Sequence, residues 1–124
     1  MPCALVAPLS DESTASPCPM ELALASMGGK WKPRLLTLLG DRTQRFRELE
    51  RRLPQVSRKV LVEQLRHLEA SGFVLRTVYP EVPSRVEYAL TESGANVLPV
   101  LRALADLGKR LLAERAPDRV TIGG

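Results

Sequence analysis

The most constraining feature of the chain is a break between two amphipathic segments in its middle. In the first segment, Phe46 to Leu53, apolar residues fall at i, i+3 and i+7, which predicts a short helix with one buried face. Pro54 limits the end of that helix. Ser57 is a good N-cap for a second helix, which runs to Ser71 and is stopped by Gly72. Two short helices joined by a tight turn predict a helix-turn-helix.

Two further helices are predicted before this unit. Pro19 suits the first position of a helix, and the segment from Pro19 to Met27 is followed by Gly28-Gly29, a pair that ends helices readily. A second helix is expected from about Lys32 to Leu39, with Pro33 in its first turn.

A hairpin and a long helix are predicted after it. Segments Phe73 to Tyr79 and Val86 to Thr91 are rich in Val, Tyr and Leu, and the proline-containing stretch 80–84 between them excludes a helix. Thr91 then caps a last helical region that reaches about Arg115, with Pro99 kinking or dividing it. The expected fold is mainly α with a small β-hairpin wing, a winged helix-turn-helix.

The predicted domain organisation is simple. Residues 1–16, rich in Pro, Ser, Thr and small residues, are expected to be a flexible N-terminal tail. Residues 17–116 form the winged helix-turn-helix domain with its dimerisation helices, and 117–124 form a C-terminal tail. In the last helix, residues with 4-3-4-3 spacing and their apolar neighbours make a stripe wider than a monomer needs, which predicts a homodimer. The spaced residues are Val97, Leu101, Leu104, Gly108 and Leu111.

Charge is concentrated in the middle of the chain. Between Lys30 and Arg85 there are 13 Lys or Arg and 6 Asp or Glu, net +7, whereas the remainder has 5 and 8, net −3, which restores the total of +4. A positive central region fits an anionic partner.

The helix that begins at Ser57 is the predicted recognition helix. We expect Arg58 and Lys59 to contact base edges or nearby phosphates, Arg66 the backbone, and Val62 a thymine methyl group. Glu63 either accepts a hydrogen bond from cytosine or pairs with Arg66 or Lys59. The alternative for this set is an ordinary solvated charged face.

Arginines outside that helix extend the predicted site. Arg76 and Arg85 lie on or beside the hairpin loop, where an arginine can enter a minor groove or hold a phosphate. For Arg85, an ion pair with Glu81 or Glu87 competes with that role. Among the arginines around the third helix, Arg45 and Arg47 are expected to contact the sugar-phosphate backbone.

Cys18 stands at the start of the first helix, where the positive end of the helix dipole lowers a thiol pKa. One hypothesis is that it senses oxidants or electrophiles, and the other is a buried apolar residue or inert cap. Cys3, in the tail, is a possible disulfide partner within or between subunits.

Several function classes find no support in the sequence. There is no glycine-rich phosphate loop, no paired nucleophile and base, no metal-ligand spacing, and one histidine in all, so no enzyme, metal or cofactor is expected. No signal peptide or membrane span is indicated, and with two cysteines we expect a cytoplasmic protein.

These motifs together resemble the HxlR family of bacterial winged-helix regulators, related to the MarR group. The resemblance covers Cys18 to about Arg110 and rests on the Cys-Pro opening with GGKW, the stretches RFRELERRLPQVSRKVLVEQLRHLEASGFVLR and YPEVPSRVEYALTESG, and LPVLRAL. It implies a dimer formed largely by the first and last helices, and regulation of nearby genes. Some members look like redox or aldehyde sensors through the cysteine that aligns with Cys18. Val62 and Glu63 replace the Thr and Gln common there, so base preference does not transfer.

The function expected is therefore sequence-specific binding of double-stranded DNA, at an inverted repeat, by a homodimeric transcription regulator. The alternative is a winged-helix module that serves as a non-sequence-specific architectural DNA-binding protein or binds protein partners.

Overall fold

The chain forms five helices and three short strands over the part described. The structure, a computed structural model, describes residues 18–123, with side chains over 18–115. The elements in order are α1 (Pro19–Met27), α2 (Lys32–Asp41), β1 (Gln44–Arg45), α3 (Phe46–Arg52), α4 (Arg58–Ala70), β2 (Val74–Tyr79), β3 (Arg85–Leu90) and α5 (Glu92–Gly123). The predicted tail 1–16, including Cys3, lies outside the described residues.

The helix-turn-helix forms as predicted. The backbone N–H of Val60 donates to the Ser57 hydroxyl at 3.2 Å, which caps α4. Gly72 adopts φ +83°, the left-handed conformation that ends many helices and favours glycine. Leu61, Leu65 and Leu68 of α4 are buried together with Leu49 of α3, so the two helices share one apolar core.

The wing is a three-stranded antiparallel sheet in the order β1-β3-β2, rather than the predicted two-stranded hairpin. β3 pairs with β2 from Val74 opposite Leu90 to Tyr79 opposite Arg85, and Gln44 of β1 lies opposite Tyr88. The buried Gln44 side chain donates to the carbonyl of Leu38 at 2.6 Å and accepts from Arg52 at 3.1 Å. These bonds satisfy the amide and fix β1 between α2 and α3.

The last helix corrects one expectation. α5 is one element that passes through Pro99 and extends beyond the predicted end near Arg115 to Gly123. Proline removes one backbone hydrogen bond, but Val97 and Leu101, on either side, pack in or against the core and hold the helix in place. Residues 117–123, expected as a tail, continue the helix.

The start of α5 is joined to the short segment between α4 and β2. The Thr91 hydroxyl donates to the carbonyl of Gly72 at 2.6 Å and accepts from the N–H of Gly94 at 3.0 Å. A Cβ at position 94 would overlap the carbonyl of Phe73, so glycine permits this approach. The predicted Thr91 cap is therefore present, and it ties α5 to the end of α4.

Candidate nucleic-acid interface

A cleft of about 660 Å³ lies between the helix-turn-helix and the wing. Helices α3 and α4 form one side, and β2, β3 and the loop between them form the other. Six arginines line it, with two glutamates, Glu69 and Glu81. We call this surface the arginine cleft, and its arginines are Arg45, Arg47, Arg58, Arg66, Arg76 and Arg85.

Folding brings together arginines that are far apart in the sequence. Arg45 caps α3, Arg66 belongs to α4 and Arg76 to β2, yet all three reach the same cleft. Val62 also lines it, half-buried, on the face of α4 expected to approach bases. Concentration of positive charge beside the second helix of a helix-turn-helix suits a polyanion such as duplex DNA.

Two of the predicted recognition residues lie elsewhere on α4. Lys59 and Glu63 are exposed but do not line the arginine cleft. Glu63 makes no ion pair among residues 18–115, so neither predicted pairing, with Arg66 or Lys59, is formed. Ser57 uses its hydroxyl to cap the helix.

Arg58 is held by a carboxylate that the sequence did not single out for it. Its Nε and Nη2 donate to the two oxygens of Glu50 at 2.8 and 3.1 Å. The guanidinium also lies 5.5 Å from the centre of the Phe46 ring. The hydrogen bond from Arg58 lowers the pKa of Glu50 below its usual range, so this carboxylate is ionised at neutral pH. Glu50 lies on α3 and Arg58 on α4, so the periodicity of a single helix could not indicate this pair.

Arg85 contacts carboxylates and an aromatic ring within the wing. Its Nη2 lies 3.3 Å from Glu81 and its Nε 3.3 Å from Glu87, and its guanidinium stacks 4.1 Å from the centre of the Tyr79 ring. The Nε–Glu87 contact is an ion pair without hydrogen-bond geometry. Both competing carboxylates therefore bind Arg85, and its side chain is only 26% exposed. The two ion pairs that were expected to compete with a groove role are both present.

The third helix begins with a carboxylate contact of its own. The backbone N–H of Arg45 donates to Glu48 at 2.8 Å, and this bond lowers the pKa of Glu48. Arg42 lies 3.5 Å from the same carboxylate. Arg47, Arg66 and Arg76, by contrast, form no ion pair within residues 18–115.

Cys18 occupies the N-cap of α1 without a side-chain cap, and its carbonyl accepts from the N–H of Leu22 at 2.9 Å. It is half-buried and disulfide-bonded rather than a free thiol. Among the described residues, no group of three side chains that could hold a metal ion comes together. The same residues include no helix with the length and hydrophobicity of a membrane span.

The family model of the HxlR-like helix-turn-helix matches residues 26–116. The chain belongs to this family. Its members are transcription regulators that bind DNA through the helix-turn-helix, not enzymes, which confirms the expected fold family and the absence of an enzymatic role.

Individual relatives agree with this membership. The chain is 50% identical over 92 residues to an uncharacterized HTH-type transcriptional regulator of Methanothermobacter thermautotrophicus, covering 74% of this chain and 70% of the relative. The redox regulator HypR in its oxidized form is 42% identical, with a TM-score of 0.70 over 75% of this chain and 96% of HypR. The reduced form of the regulator YodB from B. subtilis is 34% identical, with a TM-score of 0.65 over 81% and 94%. The chain is thus a winged helix-turn-helix transcription regulator.

Proposed function

We propose that two copies of this chain bind an inverted repeat in duplex DNA, with α4 of each copy in a major groove and the wing beside it. The observation that carries the proposal is the arginine cleft, which places around α4 four arginines that form no ion pair among residues 18–115. Three of them, Arg47, Arg66 and Arg76, serve as phosphate contacts, while Arg58 and Val62 face the bases. Arg45 adds charge beside α3, and Ser57 and Arg85 support the site structurally.

Lys59 and Glu63 have a smaller part in this proposal. Both are exposed on α4, so they reach DNA only if the groove wraps beyond the arginine cleft. We assign Lys59 to a flanking phosphate and Glu63 to the edge of the contacted bases.

The dimer is proposed from a second surface. Three apolar residues of α1 and five of α5 are between 42% and 59% exposed. Large apolar side chains exposed in this number are typical of a protein interface. We call these residues the apolar helix face, and they are Met20, Leu22, Leu24, Val100, Leu104, Leu107, Leu111 and Leu112.

The experiment is competition binding with duplex DNA from upstream of the chain's own gene. We expect binding that specific competitor removes and unrelated duplex does not. The matched control is Arg102→Ala, which removes an exposed arginine of α5 outside the arginine cleft. Arg66→Ala should weaken binding while Arg102→Ala does not. Equal affinity for unrelated duplexes would instead indicate an architectural DNA-binding protein. Absence of binding to any duplex would indicate a protein-interaction module.

Redox response through Cys18 is a second part of the proposal. Cys18 is the N-cap of α1, and α1 contributes to the apolar helix face. A change in the oxidation state of Cys18 therefore takes place next to the proposed subunit interface. Similarity to HypR, described as a redox regulator, supports the idea. We expect dithiothreitol, which reduces the disulfide of Cys18, to change the affinity of the wild type for its operator and to leave that of Cys18→Ser unchanged. Identical dithiothreitol responses of the two proteins would exclude a redox role for Cys18. A regulator of this kind is expected to work in the cytoplasm.

A further inference from the structure

Arg58 differs from Arg66, the other arginine of α4, in being bound along one edge. Its Nε and Nη2 donate to Oε2 and Oε1 of Glu50 at 2.8 and 3.1 Å, the two-point arrangement that fixes a planar guanidinium. The same guanidinium lies 5.5 Å from the centre of the Phe46 ring. Phe46 and Glu50 are four residues apart on α3, so one face of that helix supplies both restraints.

The bound guanidinium keeps donors to spare. Arginine has five N–H donors, and Glu50 takes two of them. Within residues 18–115 the Nη1 group makes no hydrogen bond, so the Nη1–Nη2 edge is available. The Arg58 side chain is 69% exposed and lines the arginine cleft, whereas Glu50 is 27% exposed and lies behind it.

The free edge fits one base better than it fits a phosphate. Guanine offers O6 and N7 side by side in the major groove, and the two-point contact from arginine is the most common specific contact to DNA. An arginine neutralised by a carboxylate adds little to sequence-independent attraction of phosphates. Arg47 and Arg66, which have no carboxylate partner among residues 18–115, supply that attraction instead.

We propose that Glu50 is a positioning residue that grips Arg58 by its Nε–Nη2 edge and presents the Nη1–Nη2 edge to a guanine in each half-site. Glu50 itself touches no DNA in this arrangement. The inference rests on the proposed function, because it requires α4 to enter the major groove.

The test is selection from a duplex library with randomised half-sites, followed by affinity measurements on single-base variants. For the wild type we expect a guanine preference of about 5- to 150-fold at one position per half-site. Glu50→Gln should reduce that preference at least about fivefold, without weakening binding to unrelated duplex. Arg58→Ala should lose the preference at the same position, and the double variant should be no worse than Arg58→Ala.

Two companion variants separate geometry from charge. Glu50→Asp keeps the charge but withdraws the carboxylate, so it should also weaken the guanine preference. Glu92→Gln makes the same change of charge as Glu50→Gln outside the arginine cleft and should leave the preference intact. Thermal unfolding of each variant shows whether it is folded.

The outcomes are distinguishable. A wild-type preference that Glu50→Gln and Glu50→Asp both retain overturns the role of Glu50 and leaves the proposed function standing. A uniform change of affinity on all sequences, with the preference intact, also overturns it and makes Glu50 a simple charge. A wild type with no base preference overturns the proposed function together with this inference.

Discussion

The arginine cleft and the apolar helix face are both suited to binding a partner, but one is positively charged and the other is apolar. The cleft carries arginines such as Arg47 and Arg66 that have no carboxylate partner within residues 18–115, so it has an excess of positive charge. The helix face carries leucines such as Leu107 and Leu111 at 44% and 42% exposure, so it lacks an apolar cover. The difference fits the two partners that we propose, a polyanion and a second copy of the chain.

Two positions on α5 show the same contrast within one helix. Val97 is 8% exposed and belongs to the monomer core, whereas Leu104, on the continuation of the same stripe, is 45% exposed. The N-terminal part of the stripe is used within the subunit. The later leucines of the stripe are exposed, and we propose that a second subunit packs against them.

The largest expected effect comes from charging the apolar helix face. Leu107→Glu with Leu111→Glu should separate the subunits, because a carboxylate is costly to bury against apolar residues. Loss of two-site binding should weaken the affinity for an inverted repeat by about 100- to 10,000-fold. Analytical ultracentrifugation and competition binding measure the two effects.

The control for that variant is Val82→Glu, on the fully exposed loop of the wing. It should leave the subunits associated. An unchanged oligomeric state in the Leu107 and Leu111 variant would mean that the subunits do not meet through this part of α5.

A smaller effect is expected from the cleft. Arg66→Ala should weaken binding to every sequence alike, by on the order of tenfold, because a phosphate contact carries no base information. The slope of log affinity against log salt should decrease by about one, since a single phosphate interaction is removed. Titrations at several salt concentrations, with Arg102→Ala alongside, check this. A change at one base position only would assign Arg66 to base reading.

Arg85 and Arg76 sharpen the comparison within the wing. Arg85→Ala should lower the free energy of unfolding by about 1 kcal/mol, because the stack on Tyr79 is removed, and should leave the salt slope alone. Arg76→Ala should decrease the salt slope and leave the free energy of unfolding unchanged, since Arg76 is exposed and forms no ion pair within residues 18–115. Urea unfolding and salt titration of both variants check these expectations. A smaller salt slope in Arg85→Ala, or a lower free energy of unfolding in Arg76→Ala, would contradict them.

The smallest effect is a dependence of stability on pH. Hydrogen bonds from Arg58 and from the backbone of Arg45 lower the pKa of Glu50 and Glu48, respectively. A lowered pKa stabilises the folded state above the ordinary carboxyl value, and this contribution is lost as the pH falls through the lowered value. Urea unfolding below about pH 5 should therefore lose stability less steeply in Glu50→Gln than in wild type. Parallel curves would show that the pair contributes nothing measurable.

Local signals explain what the sequence predicted well. α1 has the predicted bounds, and the Ser57 cap and Gly72 stop of α4 are present, because Pro, Ser and Gly act through their own backbone and near neighbours. The helix-turn-helix follows from those signals alone.

Longer-range contacts explain what was missed. β1 has two residues, too few for an alternating pattern, and exists because it pairs with β3 more than forty residues away. Of the two outcomes expected at Pro99, a kink or a division of the helix, division does not occur, since packing around Val97 and Leu101 outweighs the one missing hydrogen bond. The Arg58–Glu50 pair likewise forms across a turn, whereas the Arg85 pairs, within one hairpin, were among the alternatives considered.

The number of subunits on one operator tests the central claim most directly. Two recognition helices held in a symmetric dimer should meet half-sites about 10 bp apart or a small multiple of that distance. Native mass spectrometry of the selected duplex with saturating protein should therefore show two copies per inverted repeat and no stable complex with one. A single copy bound at full affinity to a lone half-site would contradict the account.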